Sequence, residues 1–223
     1  MVVDGEVGPN NGHRVVGVVQ RSKAKAIHFL RHAEGTHNEA ARKDGREAYT
    51  KIEHLDARLT DVGKQQCAAL KATNHGLEKE VELVVVSPLT RAIQTATLSV
   101  DQVKGVPWIA LECVREKAGG HPCDQRRCLS ELKNEYPTIS FEGVEDEEDV
   151  YHASIGEERE TNEAMASRGR ELLEWLKDRP ESNILVVTHS AFLSCLFNEV
   201  VVSPPEIAKW FANCELRSML MDL

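Results

Sequence analysis

Residues 25–40 read KAIHFLRHAEGTHNEA, and the apolar run inside them, AIHFL ending at Leu30, has the length and residue types of a buried strand. The next two positions are Arg31 and His32, a fixed cation beside the side chain that titrates nearest neutrality. A core strand that ends on such a pair is aimed at something. Three further runs share its character: VELVVV ending at Val86, PWIALE ending near Glu112, and NILVVT ending at Thr188. Their apolarity is continuous rather than alternating, the pattern of strands covered on both faces in a parallel sheet.

Helical patterns separate these runs. LTDVGKQQCAALKATNH offers Thr60 as N-cap, and SPLTRAIQTATLSV offers Ser87 as N-cap with Pro88 at the first helical position. TNEAMASRGRELLEWLKDR sets Met165, Leu172, Leu173 and Leu176 near one face and stops before Pro180. Strands alternating with helices predict an α/β fold, a three-layer α/β/α sandwich around a mostly parallel central sheet. The expected organisation is an N-terminal lead-in over 1–24 and a single domain over 25–223, with an acidic, turn-rich insertion at about 118–160. That insertion, which includes EGVEDEEDVYHASIGEERE, reads first as a solvated loop and second as a cap over the rim of a site.

Composition narrows the function classes. A net charge of −9 argues against non-specific binding to nucleic acid or to an anionic membrane, while leaving room for a local basic pocket. No apolar run approaches the roughly 18 residues of a membrane span, and the N-terminus lacks the apolar centre of a secretory signal. The expected address is the cytoplasm. The six cysteines form no tight disulfide framework and are expected to be mostly buried thiols. His121, Cys123 and Cys128 in HPCDQRRC have metal-like density, but zinc sites pair two such clusters and no second one is visible. No metal and no cofactor are therefore expected.

In open parallel sheets, ligands bind beyond the carboxyl ends of the strands. Just past the four runs come Arg31 and His32; Ser87, Pro88 and Arg91; Glu112, Arg115 and Glu116; and His189. Two imidazoles, several guanidinium groups and a carboxyl on one sheet edge suit phosphoryl chemistry, which needs a nucleophile, charge stabilisation around oxygens and an acid for the leaving group. Arg91, in the first turn of a helix, sits where a cation is unfavourable unless an anion is bound.

The motifs LRHAEGTHN, SPLTRAIQTA, ECVREKAGGHPCDQRR and VVTHSAFL, in that order, resemble the histidine phosphatase superfamily, the phosphoglycerate mutase-like proteins. The resemblance runs from about Ile27 to near Leu223, and the GTHN and HPCDQRR variants are similar to a plant and fungal, phosphatase-like branch. It implies that His32 is the nucleophile, that Arg31, Arg91 and Asn38 hold the phosphate, and that His189 completes the pocket. It implies that Glu116 is the proton donor, with Glu112 as rival. His121, Arg126 and Arg127 are candidates for a second anionic group on the substrate, or else a surface basic cluster facing the acidic loop.

Three departures from the family pattern stand out. Ala33 replaces the usual glycine and requires a negative φ there; Gly35 replaces a Ser or Thr, removing a phosphate contact; and REKAGGHP lacks the aromatic of the mutase form. The implied function is a phosphatase for a small phosphorylated substrate. A phosphoglycerate mutase is the alternative, disfavoured because SMLMDL reads as a terminal strand with little tail to close over a phosphoenzyme. A non-catalytic phospho-ligand binder is the third reading.

Overall fold

A computed structural model describes residues 24–73 and 77–223; the lead-in expected over 1–24 lies outside them apart from Ala24. The four sequence-predicted strands form, as β1 (Lys25–Arg31), β2 (Leu83–Val86), β3 (Trp108–Leu111) and β5 (Asn183–Thr188). They run parallel in the order β3-β2-β5-β1, the centre of one six-stranded sheet. Two edge strands complete it: β4 (Ser140–Gly143), parallel to β3, and β6 (Leu216–Met221), antiparallel to β1.

The continuous apolar runs have the cause expected of them. In β2, Leu83 and Val85 point into one core cluster while Val84 and Val86 point into the other. One cluster packs the sheet under α2 (Asp61–Thr73), α4 (Thr90–Ser99) and α5 (Leu129–Glu135). The opposite cluster packs it under α7 (Asn162–Asp178), through Leu172 and Leu176, and α8 (Ser190–Cys195), through Phe192 and Leu193. Each buried aliphatic side chain of this kind is worth about 1.5–3 kcal/mol. The result is the three-layer sandwich. The four-residue α3 (Leu77–Glu80) adds Leu77 to the first of these clusters, while the short α1 (Thr36–Asp44) contributes to neither. None of the described helices is long and apolar enough to cross a membrane.

The histidine inside the sheet is satisfied. His28, in the middle of β1, binds Ser218 Oγ at 2.6 Å and Asn183 Oδ1 at 2.7 Å, which makes it a structural histidine. Thr60 caps α2 as expected, accepting from the Gly63 amide at 3.0 Å. Ser87 does not cap α4. That helix starts three residues later, at Thr90, whose amide donates to Asp56 Oδ1 at 2.8 Å, and Ser87 is engaged with His189 instead.

The acidic segment departs from the expected solvated loop. It carries α5, β4 and α6 (Val150–Ile155) and is fastened by two buried carboxylates. Asp149 receives both terminal nitrogens of Arg115, and Glu160 receives the Arg168 fork at 2.8 and 2.7 Å. Exposed acids between these anchors mislead a reading by charge density, because the anchoring pairs are a small minority of the segment's charges.

Candidate active site

The sheet register builds the site. Arg31 pairs with Thr188 across β1 and β5, so the residues that follow, His32 and His189, emerge side by side at one carboxyl edge. Their ring centroids are 5.0 Å apart and both rings are fully buried. Val86 pairs with Val187 in the next strand, which brings Ser87 Oγ within 2.8 Å of His189 Nε2.

His32 is held in one tautomer. Its Nδ1 lies 2.7 Å from the Ala33 carbonyl oxygen, which can only accept, so Nδ1 carries the proton and Nε2 keeps a lone pair. Burial, then the charges of Arg91 and Arg31, hold the imidazole's pKa well below its ordinary value, and the ring is neutral near pH 7. His189 is driven down in the same way, by burial first and by Arg91 next. The peptide that supplies the carbonyl is tied down by its own N–H, the Glu34 amide, which donates to Gln66 Oε1 at 2.9 Å, and the preceding Ala33 amide donates to Thr95 Oγ1 at 2.9 Å. Ala33 is not among the positive-φ residues, meeting the condition its substitution for glycine imposes.

His32 opens into a cavity of about 630 Å³ lined by Arg31, Asn38, Glu116 and His121 among others, while His189 lies behind it, outside the lining. Arg91 is wholly buried behind it and directs Nε at His32 Nε2 over 3.4 Å. Arg31 donates from Nη1 to the Phe211 carbonyl at 2.7 Å, while its Nε has no partner. Burial lowers its pKa, partly offset by Glu116, yet a guanidinium stays charged. Asn38 Oδ1 accepts from the Gly35 amide at 3.1 Å. The Glu116 carboxylate meets the start of α8, accepting from the Ala191 and Phe192 amides at 3.3 Å each.

Four expected candidates go elsewhere. Arg126 is buried away from the cavity, bonded to Glu112 at 2.7 Å and to the carbonyls of Asp146, Glu147 and Glu148. It clamps the backbone of the acidic segment, which is why so basic a residue sits within so acidic a stretch. Arg127 pairs with Asp56 and Glu135, both at 2.9 Å. Glu112 is taken by Arg126 and by Arg115, so its carboxylate faces structural cations rather than the cavity. Arg115 is likewise buried against Asp149.

Other residues line the cavity without having been singled out. Asp124 accepts from Arg91 Nη2 at 2.8 Å and Arg159 Nη1 at 3.0 Å; burial works to raise its pKa, but His121 and these two cations outweigh it and hold the carboxyl far below the usual range. Asn213 Nδ2 donates to the His32 carbonyl at 3.2 Å. His37, Tyr49, Arg42, Arg46 and Trp210 complete the wall and mouth. His37 was within reach of sequence reasoning, since it follows the departure at Gly35; Asn213 was not, because FANCEL carries no motif.

His121, Cys123 and Asp124 bring one donor atom each within 4.8 Å of one another. Those donors are occupied: both Asp124 oxygens serve guanidinium groups, and burial pushes the Cys123 thiol's pKa up, away from the thiolate a metal requires. Cys128, the third zinc candidate, is turned toward Glu148 at 3.3 Å.

The family model described as histidine phosphatase superfamily (branch 1) matches residues 27–222. Phosphoglycerate mutase-like protein 1 of Arabidopsis thaliana is 36% identical over 241 residues, covering 92% of this chain and 84% of its own. Among solved structures, a mycobacterial glucosyl-3-phosphoglycerate phosphatase superposes with a TM-score of 0.54 at 19% identity, covering 87% of this chain and 89% of its own. An ecdysone phosphate phosphatase from Bombix mori gives 0.57 at 15% identity, covering 87% and 88%. At such identities the two structures attest the fold.

Proposed function

The chain belongs to the histidine phosphatase superfamily, branch 1, and from that premise we propose that it is a metal-independent phosphomonoesterase. It acts through a phosphohistidine intermediate on a small phosphorylated metabolite in the cytoplasm. The observation that carries the reading is His32 itself: a neutral ring with its proton on Nδ1 and its Nε2 lone pair beside buried cations. The six free cysteines fit a reducing compartment.

In the first step Nε2 of His32 attacks phosphorus in line. The bond from phosphorus to the leaving oxygen breaks, and Glu116 gives that oxygen its proton. In the second step water attacks the phosphohistidine, its proton passes to the Glu116 carboxylate, and the phosphorus–nitrogen bond breaks to restore His32 and release phosphate. Arg31, Arg91 and Asn38 hold the equatorial oxygens, and the guanidinium charge offsets the charge spread over them. His189 steadies the transferring group from the other side of His32.

The names of relatives such as the Arabidopsis phosphoglycerate mutase-like protein favour a second reading, a mutase that returns the phosphoryl group to its substrate. A panel of phosphorylated metabolites, assayed for phosphate release with His32→Ala protein as blank and with and without EDTA, tests the proposal. Release that depends on His32 and ignores EDTA is expected. Equal release by the blank overturns it, and conversion of 3- to 2-phosphoglycerate with a bisphosphoglycerate primer, without net phosphate release, selects the mutase.

A further inference from the structure

The signature loop departs from its family's pattern at Gly35, where the expected hydroxyl is missing, and the structure gives a reason. The Gly35 backbone is extended, with φ −95° and ψ 164°, a conformation open to any residue. Space is what demands glycine: a Cβ there would lie 2.7 Å from both Nδ1 and Cε1 of the His37 ring. A side chain at position 35 and the imidazole of His37 in this rotamer cannot both be held without one of them moving. The loop has exchanged a hydroxyl for an imidazole two residues on.

That imidazole sits where a substrate would meet it. His37 lines the cavity, is 4% exposed, and its ring centroid is 5.7 Å from that of His32, against 5.0 Å for His189. Its orientation is set by a row of rings, with Tyr49 at 5.8 Å and His121 stacked on Tyr49 at 5.5 Å. Its Nδ1 is walled in with no partner, while Nε2 is not among the walled-in atoms and has no hydrogen-bond partner among the described residues. A sealed, unpaired N–H is rarer in proteins than a sealed lone pair, so the proton of the neutral ring belongs on Nε2. Burial and the charges of Arg91 and Arg31, against the opposing pull of Asp124, keep the ring neutral near pH 7. The cavity therefore contains a buried, oriented N–H donor that nothing in the fold uses.

We propose that His37 is a phosphate-contacting residue, its Nε2–H donating to a non-bridging oxygen of the phosphoryl group on His32 in place of the hydroxyl that Gly35 lacks. The inference rests on the hydrolase reading above for the place of the phosphoryl group at His32, while the donor itself would meet a free phosphate in the same pocket.

Three variants test it, with 4-nitrophenyl phosphate as substrate and inorganic phosphate as competitive inhibitor. His37→Phe keeps the ring and removes the donor; its inhibition constant for phosphate should rise about tenfold and kcat/KM should fall by a similar factor, the loss of one hydrogen bond to a charged group. His37→Gln sets an amide near the Nε2 position and should recover most of that loss. Gly35→Ser combined with His37→Ala restores the hydroxyl and should also recover it, which a packing role for His37 would not allow. The inference is overturned if His37→Phe stays within about twofold of wild type on both constants, or if neither rescue exceeds it. If His37→Phe fails to fold, the comparison of Gly35→Ser/His37→Ala with His37→Ala alone decides. Should wild-type protein turn over nothing, the hydrolase reading falls, and phosphate affinity measured by calorimetry on the same variants still decides the role of His37.

Discussion

Asp124→Ala removes the carboxylate on which the wholly buried Arg91 is moored. Arg159, at the cavity mouth, loses the same partner, but its partial exposure leaves it able to turn to water. The cost is therefore assigned to Arg91, a desolvated guanidinium left without its counter-charge, at about 3–5 kcal/mol. For a domain of this size that corresponds to a fall in Tm of roughly 6–20 °C at pH 7. The pH dependence has a definite sign. The folded-state pKa of Asp124 is depressed, so its contribution is complete above the unfolded value of about 3.9 and is lost as pH falls through the folded one. The gap between wild type and variant should be the same at pH 7 and pH 5 and should narrow below pH 4. Added phosphate should stabilise the variant more than wild type, because the freed Arg91 gains a new anion. Thermal and urea unfolding followed by circular dichroism at pH 7, 5 and 3, with and without phosphate, measure these quantities. A Tm within about 2 °C of wild type at pH 7, or a gap that widens on acidification, would refute the reasoning.

Other perturbations separate the remaining roles. Glu116→Gln keeps one oxygen, which can accept from the Ala191 or the Phe192 amide but not from both, since they donate to different carboxylate oxygens, and it cannot give up a proton; kcat should fall about 10²–10⁴-fold for an alkyl phosphate and far less for 4-nitrophenyl phosphate, whose leaving group needs no acid. Arg127→Ala should lower Tm while leaving KM for every tested substrate within about twofold, since its partners are Asp56 and Glu135 rather than the cavity. Arg168→Ala breaks the fork to Glu160 and the bonds to the Cys113 and Arg115 carbonyls, at 2.8 and 3.1 Å, and should cost about 3–5 kcal/mol in denaturant unfolding.

The sheet was legible because parallel strands announce themselves: both faces of β2 are buried, so every residue of it is apolar. The antiparallel β6 was legible as a strand from SMLMDL, whereas β4 was not, being a four-residue edge with only Phe141 buried. The site was legible where a residue follows directly from a strand tip, as His32 and His189 do, because register alone makes them neighbours. It was illegible where long side chains choose among partners. Arg126 and Arg127 lie close in sequence to the cavity residues His121 and Asp124, but their guanidinium groups reach carbonyls and carboxylates of other segments. Ser87 misled for a related reason, its hydroxyl serving His189 and leaving the start of α4 to Asp56 from a distant loop. Sequence proximity to a motif does not tell where a flexible cation points.

The central claim is that Nε2 of His32 takes up the phosphoryl group. Rapid-quench trapping during turnover of a radiolabelled phosphomonoester, followed by peptide mass spectrometry, measures it directly. A phosphoenzyme that is acid-labile and base-stable, mapped to His32 and absent from the His32→Ala protein, is the predicted result. Steady hydrolysis with no trapped intermediate, or label on any residue other than His32, would contradict it.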